Sequence, residues 1–370
     1  MNNSQKGVDT MRDSVNCILT INDDDNFGNR LQNYALQELL RPYGDVTTVL
    51  IGTDRGHQLV RRVKQICKDI LEIPRLGKMG VSRLRRHLAF YRFTSVFVPN
   101  THVSMSDQGV VRTSRTVGKV CIGSDQVWNY SFAWLAPTLK YRLGASFESG
   151  QLLSYAASLG VSSVDEEYQP IFQEYLSRIP RISVREIAAQ QALQPFVKQP
   201  ITVVLDPTLM IDDEYWHKIA ARNKTKGKYV LTYFLGEVST QQKNEMQAYA
   251  DTHGCTIKRL NDVTDVETYS AGPREFVSLF KDASYVFTDS YHACCFSLIF
   301  GKNFKVYSRN GGALRNMNSR MATLFTLLDL DEALLEKDSR YPAYDYDVIR
   351  PKLLGLQRQS EQWLRESMRS

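Results

Sequence analysis

The chain has 370 residues, 43% of them hydrophobic and 23% charged, with a formal net charge of +6. That is the make-up of a soluble globular protein, too long for one ordinary core and suited to two domains. No window approaches the roughly 18 uninterrupted apolar residues of a membrane span, and the polar stretch from Met1 to Asp13 lacks a signal-peptide apolar run, so a cytoplasmic location is expected.

Val15 to Thr20 reads as a first strand, followed by a polar loop, Asn22 to Asn29. A helix is predicted from about Arg30 to Arg41, with Leu31, Ala35, Leu36 and Leu39 on one face, and a second strand from Val46 to Ile51. Strand, loop, helix and strand in such close succession form a βαβ unit and imply a parallel sheet. Residues 55–95 then read as a helical insertion with a break around Pro74 to Gly80. Between Arg55 and Arg92 eleven Lys and Arg meet only Asp69 and Glu72 as acids, interleaved with Val63, Ile66, Ile70, Leu71, Leu84 and Leu88. Such a cationic amphipathic segment suits an anionic membrane surface. Nucleic acid is not expected as a partner, because no recognition motif accompanies the charge.

Further strands are predicted at Lys119–Gly123, Leu152–Gly160, Ile182–Glu186 and Thr202–Thr208, and the polar stretch Asp212 to Lys228 reads as a domain junction. Tyr229–Gly236 opens a second α/β unit, continued by helix 239–253, strand 255–260, helix 273–281, strand 284–288, helix 292–300 and strand 304–307. A charged amphipathic helix closes the chain from about Val348. The fold class is therefore α/β, with two doubly wound Rossmann-like domains facing a central cleft. The first domain spans 14–215 and the second 225–345, followed by a C-terminal helix over 346–370. The six cysteines (17, 67, 121, 255, 294 and 295) include no Cys-x-x-Cys pair, which argues for buried thiols and against a zinc site. No ligand cluster argues for any other metal.

The most informative segment is Thr288-Asp289-Ser290-Tyr291-His292, because it follows an apolar strand and opens a helix. In an open α/β sheet, ligands bind at the carboxyl ends of strands, beside helix N-termini that favour anions. The loop Asn26-Phe27-Gly28-Asn29 lacks the patterns of a nucleotide-phosphate loop.

Taken with Asn26-Phe27-Gly28-Asn29-Arg30-Leu31-Gln32-Asn33-Tyr34-Ala35, Ile122-Gly123-Ser124-Asp125-Gln126-Val127-Trp128-Asn129, Tyr155-Ala156-Ala157-Ser158-Leu159-Gly160, Ile182-Ser183-Val184-Arg185-Glu186 and Leu205-Asp206-Pro207-Thr208, this segment makes the chain resemble the polysaccharide pyruvyl transferase family. Ala293 stands where that family usually has glycine. The resemblance implies a fold similar to the glycosyltransferase type B arrangement. It also implies transfer of pyruvate from phosphoenolpyruvate to a sugar, as a cyclic ketal, with no cofactor beyond that co-substrate.

On this reading His292 transfers the proton, Arg185 clamps the donor, and Asp125 is the base or the carboxylate that orients the acceptor. Ser290, Lys305, Arg309 and Arg320 would complete the donor's anion pocket. Asn29, Gln32, Asn33, Asp125, Gln126 and Asn129 offer groups for sugar hydroxyls, and Trp128 a face for the ring. The expected acceptor is a galactose or N-acetylhexosamine of a lipid-linked capsule, exopolysaccharide or cell-wall precursor, met at the inner face of the membrane. The other readings are a nucleotide-sugar-dependent glycosyltransferase of the same shape, and a non-catalytic carbohydrate-binding member of a biosynthetic complex.

Overall fold

A computed structural model describes residues 14–53, 55–100, 102–223, 225–308, 318–330 and 341–370. Strand β1 (Ser14–Leu19), helix α1 (Phe27–Leu40) and strand β2 (Val46–Thr48) form the opening βαβ unit. Helix α1 starts three residues earlier than its apolar pattern suggests. The reason is a side-chain cap: Asn26 accepts from the Asn29 amide at 3.0 Å. The expected single strand 46–51 divides, and its second part, β3 (Leu50–Ile51), joins a different sheet.

The basic region folds as two helices, α2 (Arg55–Leu76) and α3 (Lys78–Phe97), separated at Gly77, whose φ of 55° lies in the left-handed region that favours glycine. Strands β4 (Val103–Met105) and β5 (Val111–Thr113) have no counterpart in the sequence reading; with β3 they make a small three-stranded sheet. Three residues carry too little periodicity to be recognised.

Strands β6 (Thr116–Asp125), β7 (Leu152–Ala157), β8 (Arg181–Val184) and β9 (Ile201–Val203) complete the first large sheet, with helix α4 (Gln169–Leu176) between β7 and β8 and helix α5 (Ile187–Leu193) between β8 and β9. The order is β2-β1-β6-β7-β8-β9, parallel throughout. The second large sheet, also all parallel, has the order β11-β10-β12-β13. It comprises β10 (Tyr229–Tyr233), α6 (Thr240–Thr252), β11 (Thr256–Leu260), α7 (Pro273–Asp282), β12 (Tyr285–Thr288), α8 (Tyr291–Ile299) and β13 (Phe304–Val306). Helix α9 (Asn318–Leu328) follows, then α10 (Tyr346–Arg369). The two units are Rossmann-like.

Each sheet has one place where the chain, having built outward on one side, returns to build on the other. In the first it lies between β1 and β6, and in the second between β10 and β12. Ligands in such folds bind at these switch points. The two units share one apolar core, in which Phe27, Leu31 and Tyr34 of α1 pack with Phe276, Val286 and Phe296 of the second unit. Phe27 lies 4.9 Å from Phe276 and 5.9 Å from Tyr233, ring to ring. Helix α10 ties the units again: Ile349 is buried in the shared core, whereas Leu364 packs with Ile18, Leu36 and Tyr155 of the first unit. No helix among the described residues is long and apolar enough to cross a membrane.

Candidate active site

Both switch points open on one cavity of about 290 Å³. Its wall takes Ile21 and Asp23 from the segment after β1, and Asp125 and Gln126 from the end of β6. Tyr233 and Leu235 come from the end of β10, Ser290, Tyr291 and His292 from the start of α8, and Arg320 from α9. That volume is near the lower end of the roughly 300–1,000 Å³ typical of small-molecule sites.

The electrostatic centre lies beside this cavity. Arg185, just past β8 and 2% exposed, donates from Nη1 to Asp206 Oδ2 at 2.6 Å and from Nη2 to Asp125 Oδ1 at 3.4 Å. Its guanidinium stacks over the Tyr291 ring at 4.6 Å. Asp206 is fully buried, and its other oxygen accepts from the Thr208 amide at 2.9 Å and hydroxyl at 2.7 Å. Asp125 also accepts from Asn29 Nδ2 at 3.0 Å. Burial works to raise the Asp125 pKa, but Arg185, His292 and the Asn29 hydrogen bond outweigh it and hold the carboxyl at about 2. Asp125 also sits at φ 65°, a left-handed conformation uncommon outside glycine.

His292, in the first turn of α8, is buried, and burial pushes its imidazole down to about 4 despite the pull of Asp206. It is therefore neutral near pH 7. Its Nε2 makes no hydrogen bond and stands 3.8 Å from Asp206 Oδ2. The other ring nitrogen is pressed against Gly28, where a Cβ would fall 2.1 Å from Nδ1. Gln126 Nε2 is likewise buried without a hydrogen-bond partner. A buried polar atom left unpaired marks a place where a ligand or water would complete the site.

The sequence-predicted residues divide. Asn29, Asp125, Gln126, Ser290, His292 and Arg320 line the cavity. Arg185 does not. Its guanidinium lies over the Tyr291 ring and is engaged by two carboxylates. Lys305 is directed elsewhere, paired with Glu245 of α6 and 5.5 Å from the rings of Tyr307 and Tyr341. Arg309 lies outside the described residues.

Gln32 sits beneath the site, accepting from Ser124 Oγ at 2.7 Å and donating to the Asn29 carbonyl at 3.1 Å. Asn33 accepts from Thr48 Oγ1, and Asn129 accepts from the amide and hydroxyl of Ser131 within its own turn. Trp128, expected as a sugar platform, is fully buried core, and its indole N–H donates to the Arg142 carbonyl at 3.1 Å.

The aromatic face at the cavity belongs instead to Phe132 and Trp134, stacked at 5.7 Å and 10°. Trp134 is 57% exposed, with the Arg142 guanidinium 5.4 Å from its ring. Three aromatic residues in quick succession after Asn129 (Tyr130, Phe132 and Trp134) were the available signal. Asp206 was visible only as part of a motif, without a role.

The chain is distantly similar to several solved structures. One is a protein from Listeria monocytogenes described as a UDP-N-acetylglucosamine 2-epimerase, with 10% identity, 95% of this chain and 97% of that one covered, and a TM-score of 0.43. Another is a glycosyltransferase from Rickettsia africae, with 10% identity, 96% and 98% covered, and a TM-score of 0.43. No curated protein matches the sequence significantly. The family model for polysaccharide pyruvyl transferase matches residues 26–310, a span that includes every side chain of the Asp125, Arg185, Asp206 and His292 cluster. The chain belongs to the polysaccharide pyruvyl transferase family.

Proposed function

We propose that this chain transfers pyruvate from phosphoenolpyruvate to two hydroxyls of one sugar, a galactose or N-acetylhexosamine of a lipid-linked polysaccharide precursor. The product is a cyclic ketal, and inorganic phosphate is released. The observation that carries this reading is a neutral His292 lining a cavity shared with Asp125 and Arg320, within the span the family model matches.

The chemistry requires one sugar hydroxyl to lose a proton and attack C2 of the enol while C3 gains a proton. The second hydroxyl then displaces phosphate from the same carbon. Neutral His292 suits the first task, since the imidazolium formed would be stabilised by Asp206, 3.8 Å from its Nε2. Asp125 is held ionised by Arg185, His292 and Asn29. It suits accepting a hydrogen bond and fixing the hydroxyl's orientation. Arg320 supplies positive charge on the cavity wall for the donor's carboxylate or phosphate. The exposed face of Trp134 offers the sugar ring a platform at the mouth.

The test is acceptor-dependent release of phosphate from phosphoenolpyruvate by the purified protein, across galactosides and N-acetylhexosaminides. Release that His292→Ala lowers by at least about 100-fold supports the assignment. Failure of phosphoenolpyruvate to bind, together with consumption of a nucleotide sugar, would overturn it.

A further inference from the structure

An amphipathic helix ordinarily turns its apolar stripe inward. Helix α2 does the reverse. At about 100° per residue, Leu59, Ile70, Val63, Val60 and Leu71 fall in one sector of about 120°, and all five are half or more exposed, Leu71 at 79%. Lys64, Arg75, Lys68 and Arg61 continue this solvent-facing surface over the next 80° or so; all four are exposed. The polar residues of α2 do the inward work instead. Asp69 is buried against Arg83 and His87 of α3, and Arg62 pairs with Asp24 at 2.8 Å.

We infer that this outer face of α2 is a docking surface for an anionic lipid bilayer. The apolar sector would enter the headgroup boundary, and the adjoining row of cations would lie among lipid phosphates. Charge decides between lipid and a second copy of the chain: two such faces brought together would oppose cation to cation, whereas an anionic surface neutralises the row.

The placement also has a use. Asp24, held by Arg62 of the docking helix, adjoins Asp23 on the cavity wall, so a seated α2 would bring the cavity mouth toward the surface where a lipid-linked acceptor resides. Only this last step rests on the pyruvyl-transfer reading. Binding to vesicles does not.

The experiment is flotation of the full chain with vesicles of phosphatidylcholine alone, or with about one third phosphatidylglycerol, at low and high salt. Binding is expected only to the anionic vesicles and to weaken with salt. Lys64→Glu with Lys68→Glu should reduce it by roughly 25-fold or more. Val63→Asp with Leu71→Asp should abolish it while leaving the thermal unfolding temperature unchanged. Absence of binding to anionic vesicles, or binding indifferent to both double variants, would overturn the proposal. So would a solution dimer that Val63→Asp with Leu71→Asp returns to monomer while vesicles stay unbound. Loss of vesicle binding with intact phosphate release from a soluble acceptor, or the converse, separates this surface from the catalytic reading.

Discussion

Arg185, Asp125 and Asp206 form a buried charge cluster in which each member depends on the others. Removing a single partner from such a cluster leaves an uncompensated charge. Arg185→Ala is therefore expected to destabilise the fold by about 3–5 kcal/mol, measured by urea denaturation. A loss under about 1 kcal/mol would mean that solvent reaches Asp206.

His292 gives a signed dependence on pH. Its folded pKa, about 4, lies below the ordinary 6.5, so the unfolded chain binds the extra proton first. Its contribution is thus fully present above pH 6.5 and is lost as pH falls from 6.5 toward 4, by at most about 3 kcal/mol. His292→Asn should flatten that part of the stability profile. The Asp125 contribution, from a folded pKa near 2, is lost only below about pH 3.8; in the variant it should shrink, because His292 helps hold that carboxyl down, but not vanish, because Arg185 and Asn29 remain.

Gly28 makes a complementary case: alanine there improves helix propensity by about 1 kcal/mol, yet its methyl would fall on the His292 ring. Gly28→Ala is expected to reduce turnover by an order of magnitude or more and to lower stability as well, because the buried ring must move. Turnover and stability both left unchanged would show that the ring yields without cost.

Among the elements, the segment after β6 separates two tryptophans that the sequence does not distinguish. Trp128 follows Asp125 closely and looks like part of the site, yet its indole fills the first unit's core. Trp134 sits farther along, in the loop after β6, and its face is open. Trp128→Ala is expected to cost about 3–5 kcal/mol of stability. Trp134→Ala should leave the melting temperature nearly unchanged and raise KM for the sugar acceptor several-fold, without changing the affinity for phosphoenolpyruvate.

The contrast shows where a sequence is legible. Strand ends that carry Asp125, Arg185 and His292 are marked by apolar runs that stop at polar residues, and the large parallel strands follow the same signal. Which side chain at such an end turns toward the cavity depends on tertiary neighbours. Arg185 turned to two aspartates, one of them known only as a motif letter, and Lys305 turned to Glu245 on α6. Strands β4 and β5 were too short to leave a period, and the Asn26 cap, not apolar spacing, set where α1 begins.

In the whole molecule, the apolar core shared by α1 and the second unit, reinforced by α10, binds the two sheets into one cooperative body. Scanning calorimetry should therefore show a single unfolding transition, and Leu364→Ala should lower its midpoint without splitting it. A second, separable transition would show that the shared core contributes little coupling. The side chains with chemistry are nonetheless divided between the halves. The loop after β6 presents Asp125, Phe132 and Trp134, while β12 and α8 present Ser290 and His292 from the other sheet. Because the two sets hang on separate strands, lengthening or rewriting the 130s loop leaves the His292 side of the cavity untouched. If the proposed function holds, a lineage built on this plan is free to exchange one saccharide for another by editing a single surface loop while inheriting its reaction intact.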